Sequence, residues 1–144
     1  MFFGNSSETL SFGKSFAKKL SPKSIVLLKG PIGAGKTSFV KGIGKGLLIK
    51  EDITSPTFAL SHQYTSGLIP LIHMDLYRIE NKTSAEELFI EEEETMEANN
   101  GILIIEWPEL IMPIIKLFWL VEISYADNFG RKFHVTEPNF SKNL

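Results

Sequence analysis

The sequence predicts an α/β fold built on a mixed sheet. Two features carry that reading. Short apolar runs alternate with helix-period segments in the first half of the chain, and strand–turn–strand patterns gather in hairpins. Alternating strands and helices favour parallel pairing, and hairpins add antiparallel strands. The expected architecture is one domain over residues 1–144, a mainly central sheet flanked by helices and completed by a C-terminal β-hairpin.

Each element has its own signal. Asn5 stands three residues before Glu8, a helix-start arrangement. Leu10, Gly13, Ala17 and Leu20 then recur at helical spacing, with Phe16 beside them, until Ser21-Pro22 ends the helix. Ser24–Lys29 (SIVLLK) is apolar without polar alternation, as a strand buried on both faces should be. A glycine-rich turn follows, and Thr37–Leu48 is expected to be helical. Thr57–Tyr64 and Leu68–Asp75 read as strands around Thr65-Ser66-Gly67. Thr83–Ala98 reads as an acidic helix with Leu88 and Phe89 inward, and Gly101–Glu106 (GILIIE) as a second buried strand. Trp107-Pro108 opens a short helical turn, since proline suits a first helical position. Phe118–Tyr125 and Arg131–Thr136 form the last hairpin. Phe2 and Phe3 suit either an edge strand or a partner contact.

Composition removes several function classes. With 43% hydrophobic and 22% charged residues, the chain is neither disordered nor collagen-like. The longest apolar run is about five residues, too short for a membrane span. The start, MFFGNSSETL, lacks the basic-then-apolar pattern of a secretory signal. The absence of cysteine excludes disulfides, thiolate metal sites and cysteine nucleophiles, and fits a reducing compartment. Charge is uneven: residues 1–50 hold nine lysines and one acid, whereas residues 51–144 hold six basic and sixteen acidic residues. The lysines are dispersed, so the pattern fits an uneven solvated surface, or a basic face for phosphates or a partner, better than a DNA-binding stripe.

The strongest chemical signal is Gly30-Pro-Ile-Gly33-Ala34-Gly35-Lys36-Thr37, a full match to G-x-x-x-x-G-K-[ST]. A buried strand precedes it and a helix follows, which is the context a phosphate-binding loop needs. Glycines let successive N–H groups curl around an anion, and the helix N-terminus adds partial positive charge. The expected phosphate cradle is Gly30, Gly33, Ala34, Gly35, Lys36, Thr37 and Ser38. Lys36 would reach the β- and γ-phosphates of ATP, and the Thr37 hydroxyl would ligate Mg²⁺. Such a site requires an acid opposite Thr37. Asp75 and Glu106 each end an apolar run, where a strand-end carboxylate faces the ligand crevice of α/β folds. Either could instead cap a neighbouring helix.

Three further clusters matter: Ser55-Pro56-Thr57-Phe58, His73-Met74-Asp75-Leu76-Tyr77-Arg78 and Glu106-Trp107-Pro108-Glu109. With the glycine-rich loop, in this order and spacing, they resemble the TsaE family from about Asn5 to Val135. The resemblance implies a P-loop NTPase-like fold and a cytoplasmic ATPase that uses ATP and Mg²⁺. It implies a supporting role in making N6-threonylcarbamoyladenosine in tRNA, through binding a TsaB–TsaD pair; an indirect contact with tRNA is compatible with it, and direct contact stays open. It makes Lys36, Asp75 and Glu106 the catalytic set, and Thr37, Asp75 and Glu106 the metal set. It puts Trp107 and Arg131 beside the nucleotide, Ser6 near its base or ribose, and a nucleotide-sensing segment at Ser55-Pro56-Thr57. The run Glu91-Glu92-Glu93-Glu94 and a short stretch after Val135 depart from the family's usual pattern.

The remaining candidates read more plainly. His73 in an alternating strand is expected to be packed or hydrogen-bonded. His62 and His134 have no metal spacing. Tyr77 is expected under the Asp75 turn, and Arg78 either against the acidic helix or bracing Asp75. The four-glutamate run is expected to be a solvated helix face, or a docking surface for a basic partner. Two other functions compete with the ATPase: a small P-loop metabolite kinase and a nucleotide-gated binding module. A kinase of that kind usually carries an arginine-rich lid, and this chain has only Arg78 and Arg131.

Overall fold

The structure, a computed structural model, describes residues 1–139. Its seven strands are β1 (Phe2–Phe3), β2 (Ile25–Lys29), β3 (Ser61–Tyr64), β4 (Leu71–Asp75), β5 (Ile102–Glu106), β6 (Trp119–Tyr125) and β7 (Arg131–Thr136). Its three α-helices are α1 (Ser6–Phe16), α2 (Lys36–Gly46) and α3 (Lys82–Asn99). The strands form one sheet in the order β1-β7-β6-β2-β5-β4-β3. The central four, β6, β2, β5 and β4, run parallel. Antiparallel strands flank them: β3 beyond β4, and β7 then β1 beyond β6. The expected mixed sheet with its C-terminal hairpin is therefore present, and Phe2–Phe3 forms an edge strand.

The apolar runs of β2 and β5 are unbroken because both faces are covered. Alternation sends Val26, Leu28, Ile102 and Ile104 to one core with α1 and α2, and Ile25, Leu27, Leu103 and Ile105 to another with α3. The same parity fixes the site. In β4, Leu71, His73 and Asp75 share the α2 face, whereas Ile72 and Met74 face α3. Glu106 shares parity with Ile102 and Ile104, so it too points to the α2 face.

Helix ends follow local chemistry. Asn5 Oδ1 accepts from Glu8 N at 2.8 Å, and the Glu8 carboxylate accepts from Gly4 N at 2.9 Å, a shifted capping box. Asn81 caps α3 through Ser84 N. Helices α1 and α2 cross closely because glycines meet there. A Cβ on Gly13 would stand 2.3 Å from Phe39 O, and one on Gly42 would stand 2.1 Å from Leu10 O.

Three expected boundaries move. Residues 57–60 form a turn instead of the start of β3: Leu60 N donates to Pro56 O at 2.6 Å and Leu60 adopts φ 67°. Residues 68–70 are not strand either, because Leu68 N donates to Leu47 O. The link between β3 and β4 is thus longer than a tight hairpin. The helix from Thr37 stops at Gly46, where Leu47 N donates to Ile43 O and Leu48 turns to φ 60°. Among the described residues no helix is long and apolar enough to cross a membrane.

Candidate active site

Strand β2 delivers the glycine-rich loop to the carboxyl edge of the parallel strands, and α2 starts at Lys36. Three glycines take backbone angles other residues rarely hold: Gly30 at φ 157°, Gly33 at φ 78° and Gly35, the α2 N-cap, at φ 100°. The first N–H groups of α2 have no partner within the helix, so the loop presents donors to the cleft. The Lys36 ammonium donates to the carbonyls of Gly30 and Pro31, the latter at 3.2 Å, and lies 3.9 Å from the centre of the Trp107 ring. Burial lowers its pKa, and the nearby charges of Glu106, Asp75 and Glu109 oppose that shift.

The two acids stand side by side, since Asp75 and Glu106 are register partners at the ends of β4 and β5. Both are almost fully buried, at 4% and 3% exposure. Asp75 Oδ1 accepts from Tyr77 N at 2.9 Å, and Oδ2 accepts from Thr57 Oγ1 at 3.2 Å and Ser55 Oγ at 3.4 Å. Glu106 is held differently: its Oε2 lies 2.5 Å from His73 Nε2. The helix-cap alternative for these carboxylates has no support, because neither accepts from a helix N-terminus.

A cleft of about 450 Å³ opens between loop and acids. Ile32, Gly33, Gly35, Lys36, Thr37 and Ser38 line one side, and Ser55, Thr57, Asp75, Tyr77, Glu106 and Trp107 line the other. The sequence-predicted Gly33, Gly35, Lys36, Thr37, Ser38, Asp75, Glu106 and Trp107 thus meet in one place. Four candidates stand outside this lining. Ala34 is buried beneath the loop, and Gly30 contributes its carbonyl to Lys36. Arg131 braces the loop from outside, donating to Gly33 O at 3.1 Å with its guanidinium 4.8 Å from the Tyr125 ring. Ser6 is exposed in the first turn of α1.

Some side chains depart from expectation. Arg78 neither pairs with α3 nor braces Asp75: its guanidinium stacks 4.2 Å from the centre of the Phe58 ring. The glutamate run is not uniformly solvated. Glu92 is buried and accepts from Ser61 Oγ at 3.2 Å, and burial raises its carboxyl pKa despite that bond. Tyr77 packs on Trp107, with ring centres 4.9 Å apart, in addition to its backbone contact with Asp75. His73 is packed and hydrogen-bonded, as expected; its partner is Glu106, and strand parity places it on the face of both acids. The strut from Tyr125 Oη to Ile32 O, at 2.5 Å, has no sequence signal because it spans 93 residues.

A phosphate-loop motif between a buried parallel strand and a helix, with two strand-end acids across the cleft, defines a P-loop NTPase-like fold. Comparison with known proteins narrows the class. The family model described as threonylcarbamoyl adenosine biosynthesis protein TsaE matches residues 3–133. A Nostoc protein named tRNA threonylcarbamoyladenosine biosynthesis protein TsaE is 40% identical over 142 residues, covering 96% of this chain and 86% of its own. A Rickettsia prowazekii protein of the same name is 37% identical, covering 92% and 91%. The crystal structure of Bacillus subtilis YdiB superposes with a TM-score of 0.76 at 27% identity, covering 99% of this chain and 86% of that one. This chain belongs to the TsaE family.

Proposed function

We propose that the chain acts as a single-domain, Mg²⁺-dependent ATPase in N6-threonylcarbamoyladenosine biosynthesis on tRNA, working with a TsaB–TsaD pair. The relatives' names support the pathway. The chemistry rests on one observation: the α2 N-terminus, Lys36 and two buried strand-end carboxylates share one cleft. The N–H groups of residues 33–38 cradle the phosphates, and Lys36 exchanges its loop carbonyls for phosphate oxygens. Thr37, Asp75 and Glu106 are hard oxygen donors of the kind Mg²⁺ prefers. Among the described residues no three His, Asp or Glu side chains form a metal cage. That fits an ion held by one or two carboxylates plus substrate phosphates. When bound, Mg²⁺ neutralises charge on the β- and γ-phosphates. Trp107 adds an aromatic wall beside Lys36.

The setting is cytoplasmic, and the TsaB–TsaD pair would link the chain to tRNA. Hydrolysis by the isolated chain should be slow, because Ser55 and Thr57 hold Asp75 in a self-contained network. Phosphate release measured with and without a TsaB–TsaD pair tests the proposal. Stimulation by the pair is expected; fast hydrolysis that ignores it would overturn the role. Appearance of a phosphorylated metabolite would instead favour a kinase.

A further inference from the structure

The two acids are braced in different ways, and the difference assigns a role to His73. Asp75 has both oxygens engaged by protein donors. Glu106 has only Oε2 engaged, by His73, while the residue itself lines the cleft. The imidazole is fully buried at the heart of the sheet. A carboxylate oxygen can only accept, so Nε2 carries the proton. Nδ1 is buried without a hydrogen-bond partner. Nε2–H is therefore a fixed donor aimed at one oxygen of Glu106.

We propose that His73 is a positioning residue for phosphoryl transfer. Its Nε2–H holds the Glu106 carboxylate in the rotamer that leaves Oε1 to the cleft, towards the metal shell and the attacking water. The proposal rests on the ATPase reading above. Partners that orient a catalytic or metal-binding group from behind typically matter by about 10- to 100-fold in activity or metal affinity.

Three variants test it: His73→Leu, His73→Gln and His73→Asn, alongside Glu106→Gln. The Gln amide reaches as far as Nε2 and can donate to Glu106, whereas Asn stops short. Single-turnover hydrolysis, which is insensitive to the active fraction, should fall about 10- to 100-fold in His73→Leu and His73→Asn. ATP affinity should stay within about threefold in both, since the loop and Lys36 are untouched. His73→Gln should recover most of the rate. A purely packing role predicts the reverse order, with Leu tolerated in an apolar slot and Gln worse. Should His73→Leu not fold, the contrast of Gln with Asn decides, and equal rates would overturn the proposal. Nitrogen NMR of the imidazole in nucleotide-free protein gives a readout without turnover: a proton on Nε2 is expected, and a bare Nε2 would overturn it. Slow Glu106→Gln with normal His73→Leu defeats only the His73 assignment. Normal turnover in Glu106→Gln defeats the acid's role in the ATPase reading itself.

Discussion

The crossing of α1 and α2 fixes where the phosphate loop sits, and Gly42→Ala tests it. A Cβ at residue 42 would lie 2.1 Å from Leu10 O, 2.9 Å from Leu10 C and 3.0 Å from Gly13 Cα. All three are backbone atoms, so no rotamer change relieves the contact. The helices must separate by roughly 1 Å, in an interior packed too densely to absorb it freely. Overpacking costs about 1–3 kcal/mol, occasionally more. Against this, alanine is about 1 kcal/mol better than glycine inside a helix. Because the contacts are with backbone the upper part of that range applies, leaving a net loss of about 1–2 kcal/mol and a Tm lower by roughly 3–8 °C. Gly44→Ala is the matched control. Its Cβ would meet Ile53 Cδ1 at 2.2 Å, the far end of a side chain that can turn away, so its stability should change by less than about 1 kcal/mol. Thermal melts by circular dichroism compare the two. If Gly42→Ala melts at or above Gly44→Ala, the close crossing is not what the packing requires. Because α2 begins with Lys36 and Thr37, Gly42→Ala should also weaken ATP binding in the folded protein.

Three further outcomes follow from the site and its surroundings. Lys36→Ala removes a charge-assisted donor to phosphate worth about 1.5–3 kcal/mol, so ATP affinity should fall on the order of tenfold or more; an unchanged affinity by fluorescent-nucleotide titration would remove the loop from the site. The double change Ser55→Ala with Thr57→Ala strips both side-chain donors from Asp75 Oδ2, so partner-stimulated phosphate release should change by about tenfold with little change in melting; an unaltered rate would show that the segment does not govern the acid. Burial raises the Glu92 carboxyl, so the folded state favours its protonated form. The stability it contributes is present below the ordinary carboxylate pKa and lost as pH rises through the raised value. Glu92→Gln keeps an acceptor for Ser61, so it should raise Tm by ~1–3 °C near pH 7, with the gain shrinking towards pH 4. A gain that grows on acidification would have the wrong sign.

The sequence made the fold and most of the cleft legible for a specific reason. Unbroken apolar runs such as IVLL and ILII mark doubly covered strands, and the glycine-rich loop announces itself by residue type and spacing. Acids at the ends of such runs must emerge at the carboxyl edge, and alternation places them on one face. What stayed hidden depends on contacts distant in sequence. Residues 57–60 carry β-formers yet fold as a turn, because Leu60 O accepts from Asp75 N and Leu60 N bonds Pro56 O. Arg78 finds Phe58 twenty residues back, since the turn leaves that ring 84% exposed beside it. Glu92 looks like its neighbours in the sequence, but helical rotation carries it alone of the four to Ser61.

The unequal bracing of the two acids has a consequence for control. Glu106 is tied to His73, deep in the sheet, and cannot move without disturbing the core. Asp75 is tied to Ser55 and Thr57, on a segment also fixed by Thr54 N donating to Tyr64 Oη at 3.2 Å, by Leu60 N donating to Pro56 O and by the burial of Pro56. On the ATPase reading, any cation that draws on Asp75 Oδ2 competes with those two hydroxyls for the same oxygen. Each such hydrogen bond is worth about 1 kcal/mol net, well within what a bound triphosphate can redistribute. On that reading the segment's position and the acid's availability would form one equilibrium, biased by nucleotide and by any partner that binds the segment. Reciprocity follows: a partner that draws Ser55 and Thr57 away frees Asp75 for the metal shell, and bound nucleotide strengthens that partner's hold by the same free energy. On the ATPase reading, Glu106 tied to the core would supply fixed geometry, and the hydroxyl network on Asp75 the adjustable part.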